Sequence, residues 1–208
     1  MIKILVNSPK GGVGKTTLAT NIAIYLAQNQ YKVWAFDLAQ GEQMTTALKV
    51  TEFFNEEQKS NKINTSELDS IPKKFNKASN YDVLVADTDD YFEIIKDLAD
   101  REISKGWKII VPIIDEYNGL QRIPKEIGAL CVSYMFAGKM DFDLKIVPNK
   151  ISNLASITKI KKKLEEQGIE GFMSESYITD CKSEPPYYIN EKNFYNEIRT
   201  LLKEVGVI

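Results

Sequence analysis

Residues 8 to 17 run Ser8-Pro9-Lys10-Gly11-Gly12-Val13-Gly14-Lys15-Thr16-Thr17, a glycine-rich string carrying two lysines and two adjacent hydroxyls. Residue types in this order suit the gripping of a polyphosphate. Gly11, Gly12, Val13 and Gly14 let backbone N–H groups close around phosphate oxygens, and a helix that follows presents its positive end to the same charge. Lys15 is then placed to reach the β- and γ-phosphates, and the Thr16 hydroxyl to ligate Mg²⁺. Two carboxylates end apolar runs: Asp37 after Val33-Trp34-Ala35-Phe36 and Asp87 after Val83-Leu84-Val85-Ala86. An acid in the position of Asp87 can hold Mg²⁺ through its water shell, near the Thr16 hydroxyl. Histidine is absent and there is no C-x-x-C, so histidine acid–base chemistry and a cysteine–histidine metal site are excluded.

Such groups need a strand before the loop and a helix after it. Ile2-Lys3-Ile4-Leu5-Val6 reads as the buried strand, and Leu18, Ala19, Ile22, Tyr25 and Leu26 are spaced as one helix face. Further strands are expected at residues 32–37, 81–87, 107–114 and 144–147, with a shorter one at 172–178. Helices are expected near Met44–Asn55, Ser66–Lys77, Phe92–Ala99, Asn118–Val132 (interrupted or started by Pro124), Ser152–Gln167 and Asn190–Val205. Strands alternating with helices imply parallel crossovers and a sheet covered on both faces, with ligands outside the carboxyl ends of the strands. The 208 residues are enough for one such α/β domain and too few for two. The expected fold is therefore a P-loop NTPase with a mostly parallel central sheet, helices on both faces, and one domain over residues 1–208. A secretory leader is not evident at the N-terminus, which predicts a cytoplasmic protein whose Cys131 and Cys181 are buried thiols rather than a disulfide.

With Lys10 included, the loop reads K-G-G-x-G-K-T-T and resembles the deviant Walker ATPases, the family of ParA plasmid-partition and MinD cell-division proteins. The resemblance is strong over roughly the first 40 residues and at Asp87. It implies a homodimer formed when ATP·Mg²⁺ is sandwiched between two subunits, with Lys10 crossing to the partner's phosphates and hydrolysis releasing the pair. Lys10, Lys15 and Asp37 are then the expected catalytic residues. Pro148-Asn149-Lys150 resembles the family's adenine-contacting loop, and asparagine can pair a purine edge with donor and acceptor; a turn asparagine without a ligand is the alternative. ATP rather than GTP rests on the family, since the guanine-reading N-K-x-D string is replaced by Asn149-Lys150-Ile151-Ser152.

The chain departs from the family after each of its two strand-ending acids: past Asp87-Thr88, where the family usually continues with small residues or prolines, it has Asp89-Asp90. Where the second strand normally ends D-x-D-P-Q, this sequence has Asp37-Leu38-Ala39-Gln40-Gly41, with Ala39 in the place of the second aspartate. A methyl group can neither orient water nor offset charge, so slow intrinsic hydrolysis is expected. The other possibilities are that Glu42, Asp89 or a partner supplies the carboxylate. Asp90 suits a helix cap.

Net charge is only −2, so any nucleic-acid contact must come from a local patch. From Lys139 to Lys163 there are seven lysines against Asp141 and Asp143. Among them Lys159, Lys161, Lys162 and Lys163 are the candidate contacts to nonspecific DNA, with a solvated helix face as the alternative. A C-terminal stripe of Phe194, Ile198, Leu201, Leu202 and Val205 has acids balancing its bases, which favours docking on the domain over a membrane. The resemblance implies a short partition ATPase that is nucleoid-associated when ATP-bound and released by a centromere-binding, ParB-like adaptor. The rivals are a hydrolysis-poor adaptor of the same fold and a small-molecule P-loop enzyme.

Overall fold

The computed structural model describes residues 1–39, 41–54, 63–67, 80–88, 106–137, 142–181 and 187–208. Six strands form one sheet: β1 (Ile2–Val6), β2 (Val33–Asp37), β3 (Ile63–Glu67), β4 (Val83–Asp87), β5 (Trp107–Ile113) and β6 (Phe142–Pro148). Every pairing between them is parallel, in the order β3-β2-β4-β1-β5-β6. The helices are α1 (Lys15–Gln28), α2 (Gln43–Phe54), α3 (Tyr117–Ala137), α4 (Leu154–Glu165) and α5 (Lys192–Glu204).

The inner strands are apolar at consecutive positions because both of their faces are covered. Ile4, Val6, Val83 and Val85 face one core, closed by Leu18, Ile22 and Leu26 of α1 and by Phe194, Ile198, Leu201 and Leu202 of α5. Leu5, Leu84, Ala86 and Ile109 face the other, closed by Ile123 and Ile127 of α3 and by Ile160 and Leu164 of α4. The C-terminal apolar stripe is thus part of the core. No helix among the described residues is long and apolar enough to cross a membrane.

Two expected elements are corrected. Ser66 and Glu67 belong to β3, so the helix expected over residues 66–77 does not begin there, and its residues 68–77 lie outside the described residues. This strand has a single apolar residue, Ile63, because it is the edge of the sheet among the described residues and pairs there with β2 alone, where the Trp34 indole N–H donates to Ser66 Oγ at 3.0 Å. Polar edge strands lack the apolar run by which strands are recognised. Residues 172–178 do not form a ladder strand either: a short 3₁₀ turn at Glu170–Phe172 precedes two isolated bridges, Ile146 with Met173 and Ile151 with Thr179. The backbone of this segment meets β6 only at intervals, through Ser174 N–H to Ile146 O and Ile178 N–H to Pro148 O, and other backbone groups between are bound by side chains of α5. Glu204 accepts from the Glu175 and Ser176 N–H groups at 3.0 Å and from the Ser174 and Ser176 hydroxyls at 2.7 Å, and Glu197 accepts from Thr179 N–H at 3.0 Å. The expected helix at residues 92–99, and Asp89 and Asp90, lie outside the described residues.

Candidate nucleotide site

The order of the strands decides which side chains meet. β4 inserts between β1 and β2, so Asp87 lies in register with Val6, which leads into the glycine loop, and with Asp37 on the other side. Asp37, Asp87 and the loop therefore share the carboxyl edge of the sheet, where ligands bind in open α/β folds.

Within the loop, Gly12 and Gly14 have φ of 78° and 90°, left-handed values that residues with a Cβ rarely adopt. Gly14 is also the N-cap of α1 and is crowded: a Cβ there would sit 2.6 Å from Asn149 Nδ2. The first helical bond runs from Leu18 N–H to the Gly14 carbonyl. The N–H groups of α1's first turn, ahead of Leu18, thus have no partner within the helix. Three side chains hold the loop's carbonyls. Lys15 Nζ donates to Lys10 O at 3.1 Å, Lys150 Nζ to Gly12 O at 3.0 Å, and Asn149 Nδ2 to Val13 O at 2.7 Å. Asn149 is buried at the end of β6, anchored by its own N–H to Ile113 O at 2.7 Å.

Lys10 does not lie against the loop. Its ammonium reaches Glu116 Oε2, between β5 and α3, at 2.6 Å, and this contact holds the Glu116 carboxyl below its ordinary range. Asp37 is 2% exposed, and both its oxygens are engaged by backbone: Oδ1 accepts from Ala39 N–H at 3.2 Å and Oδ2 from Thr45 N–H at 2.9 Å in the first turn of α2. It ties the β2–α2 connection to the sheet in the manner of a helix cap. Glu42 is exposed, with φ of 52°.

Asp87 is fully buried, and neither carboxylate oxygen makes a hydrogen bond of full geometry. Burial pushes its carboxyl up to about 7; the Thr16 hydroxyl and Lys15 ammonium nearby pull the other way, and the Asp37 charge adds to the rise. A buried carboxylate without a well-formed hydrogen bond is costly on its own, and a cation removes that cost.

A cleft of about 190 Å³ opens beside the loop. Gly14, Thr17, Asn149, Asp180, Cys181 and Tyr188 are among its lining residues. Cys181 is half-buried and not in a disulfide, and burial, followed by the Cys181 and Asp180 charges, raises the Tyr188 hydroxyl. The far wall comes from the bridged segment after residue 173 and the turn at Tyr187–Asn190. Asn21, buried in α1, ties that turn down by accepting from Ile189 N–H at 2.9 Å and donating to Thr17 O at 2.8 Å. Neither this wall nor the contact of Lys150 with the glycine loop was foreseen from the sequence, which placed Lys150 in the segment resembling the adenine-contacting loop and among the lysines of the basic patch. The only advance signal was the set of polar residues at buried spacings, Asn21 above all.

The lysines of the candidate DNA surface are divided. Lys159 and Lys163 make ion pairs, with Asp115 at 3.1 Å and Glu166 at 2.6 Å. Lys161 and Lys162 are exposed on α4, away from the buried Ser156, Ile160 and Leu164. Lys145 lies 3.8 Å from Glu204 and Lys150 is turned to the loop, so the charge excess is spread over several surfaces.

A parallel sheet flanked by helices, with a glycine loop from its central strand into a helix and a buried aspartate in register beside it, defines a P-loop nucleotide-binding protein. The particular family follows from the sequence match: residues 4–175 fit the CobQ/CobB/MinD/ParA nucleotide binding domain, and the chain belongs to that family, with the deviant Walker loop of the ParA/MinD type. No curated protein matches it. Solved structures that share the fold include an ATP complex of an McdA variant from Cyanothece, at 13% identity, TM-score 0.70, covering 100% of this chain and 97% of that one. A plasmid partition protein described as putative, from Borrelia burgdorferi B31 with bound AMPPNP, aligns at 15% identity and TM-score 0.61 over 97% and 96%. Cobyrinic acid a,c-diamide synthase from Mycobacterium smegmatis, with ADP and magnesium, aligns at 16% and TM-score 0.65 over 97% and 94%.

Proposed function

We propose that this chain is a partition-type ATPase that binds ATP·Mg²⁺, joins a second copy of itself across the nucleotide, and in that state binds DNA without sequence preference. The observation that carries the reading is Lys10: a second loop lysine whose side chain leaves its own phosphate cradle and extends to Glu116, where an exchange of partners can release it. Glu116 is the exposed member of the pair, and an ion pair with a solvated partner is weak, so a phosphate can displace Glu116 at little cost. The paired subunits would segregate a plasmid or similar replicon, and a ParB-like, centromere-binding adaptor would trigger their release.

In this reading the N–H groups of Gly11 to Thr17 hold the β- and γ-phosphates, and Lys15 exchanges Lys10 O for phosphate oxygens. Thr16 and Asp87 would hold Mg²⁺, and the Asp87 oxygens, which make no hydrogen bond of full geometry, fit a cation that usually takes one or two protein ligands. When bound, Mg²⁺ offsets charge on the phosphate oxygens. The cleft at Asn149, Asp180 and Tyr188 would take the nucleoside. Asp37 acts from behind, by fixing the connection that carries Ala39.

One observation favours slow turnover and hence the adaptor reading: the Ala39 N–H is bound to Asp37, and a methyl group stands in the place of the family's second aspartate. Duplex DNA binding tests the main reading. Retention of a random-sequence duplex with ATP·Mg²⁺ should fall steeply with salt. Changing Lys161 and Lys162 to glutamate should weaken it and lower the salt slope by about 1 per lysine removed. Retention without salt dependence, or equal retention by the variant, would sink it.

A further inference from the structure

Lys150 stood in the sequence as one member of a basic patch, but the structure turns it the other way. Its backbone is left-handed, φ of 55°, one of three such non-glycine residues among those described. This uncommon conformation directs the side chain back over the glycine loop, where Nζ donates to Gly12 O at 3.0 Å and Cε lies 3.6 Å from the point where a Cβ on Gly14 would stand. The next residue back, Asn149, does the same to the following carbonyl, donating to Val13 O at 2.7 Å.

The geometry of the peptide unit gives these contacts a consequence. In a planar trans peptide the C=O and N–H point in opposite directions. A donor that draws the Gly12 carbonyl outward turns the Val13 N–H inward, and one that draws the Val13 carbonyl outward turns the Gly14 N–H inward. These are two of the donors that a phosphate loop presents to its ligand. We infer that Lys150 is a positioning residue of the phosphate site, orienting the Gly12–Val13 peptide from outside while Asn149 orients the next one. The inference rests on the nucleotide reading above. Lys150 also lines the cleft beside the loop, and its charge helps to lower the Glu116 carboxyl.

The test uses the full chain, a fluorescent ADP analogue with Mg²⁺, and two variants. Lys150→Asn removes the ammonium but keeps a residue that tolerates the left-handed backbone; Lys150→Arg keeps the charge and the donors. Lys150→Asn should bind ADP about tenfold or more weakly, be displaced correspondingly less well by pyrophosphate, and show the wild-type melting temperature without ligand. Lys150→Arg should recover most of the affinity. Binding by Lys150→Asn equal to wild type would overturn the assignment. So would affinity and ligand-free melting temperature falling together with no recovery in Lys150→Arg, which would make the contact purely structural. Failure of the wild-type chain itself to bind the ADP analogue would instead remove the nucleotide reading.

Discussion

Asp87→Asn should make the ligand-free protein more stable, and the gain should depend on pH. In the folded chain the Asp87 carboxyl is buried, without a full hydrogen bond, and titrates near 7; its ordinary value is 3.8. Below about pH 4 both folded and unfolded chains carry the proton, and the group does not affect stability. Between 4 and 7 the unfolded chain ionises while the folded one stays protonated, so the folded state loses ground as pH rises. Above 7 the full cost is present: the gap between 3.8 and about 7, at about 1.36 kcal/mol per pH unit, is roughly 4 kcal/mol. Asparagine is neutral throughout. Urea unfolding in buffer free of metal and nucleotide should show the variant's advantage over wild type growing by roughly 4 kcal/mol from pH 4 to pH 8. Taking that difference cancels the amide's own burial cost, which does not vary with pH. The same variant should lose the extra stability that Mg²⁺ with nucleotide gives the wild type. An advantage equal at both pH values would refute the argument, because burial would then not be what raises this carboxyl.

Gly14→Ala places a Cβ 2.6 Å from Asn149 Nδ2 on a backbone with φ of 90°, so it should cost at least about 1–2 kcal/mol in denaturant unfolding and abolish binding of a fluorescent ADP analogue. Glu204→Gln should destabilise by about 1–3 kcal/mol at pH 7, since burial of this carboxylate is outweighed by its bonds from Ser174, Ser176 and the Glu175 and Ser176 N–H groups. Those bonds hold its folded pKa below the ordinary 4.5, so its contribution is present above that value and lost as pH falls through the folded pKa; wild type and variant should converge in acid-unfolding curves.

The strand, loop and helix around Lys10 to Thr17 were legible because all of their determinants are contiguous: an apolar run, glycines where φ must be positive, then helical spacing. Asp37 and Asp87 were legible as acids ending apolar runs, but their mutual placement was not. It comes from β4 inserting between β1 and β2, a fact of topology that no local pattern records. Ile63–Glu67 escaped notice because an edge strand needs backbone pairing more than apolar side chains. Glu197 and Glu204 counted as charges balancing Arg199 and Lys203, whereas they are acceptors for backbone N–H groups of residues 175–179. Counting charge along the chain also missed how the basic patch is divided: Lys145, Lys159 and Lys163 are in ion pairs and Lys150 serves the loop.

Mass measured by light scattering during size exclusion, with ATP·Mg²⁺ and with ADP·Mg²⁺, tests the central claim most directly, provided the nucleotide in each peak is identified. The account predicts a dimer containing intact ATP, a monomer with ADP, and a monomer in both cases for Lys10→Ala despite undiminished nucleotide in the peak. A wild-type monomer under both conditions, or a dimer that Lys10→Ala leaves unchanged, would contradict it.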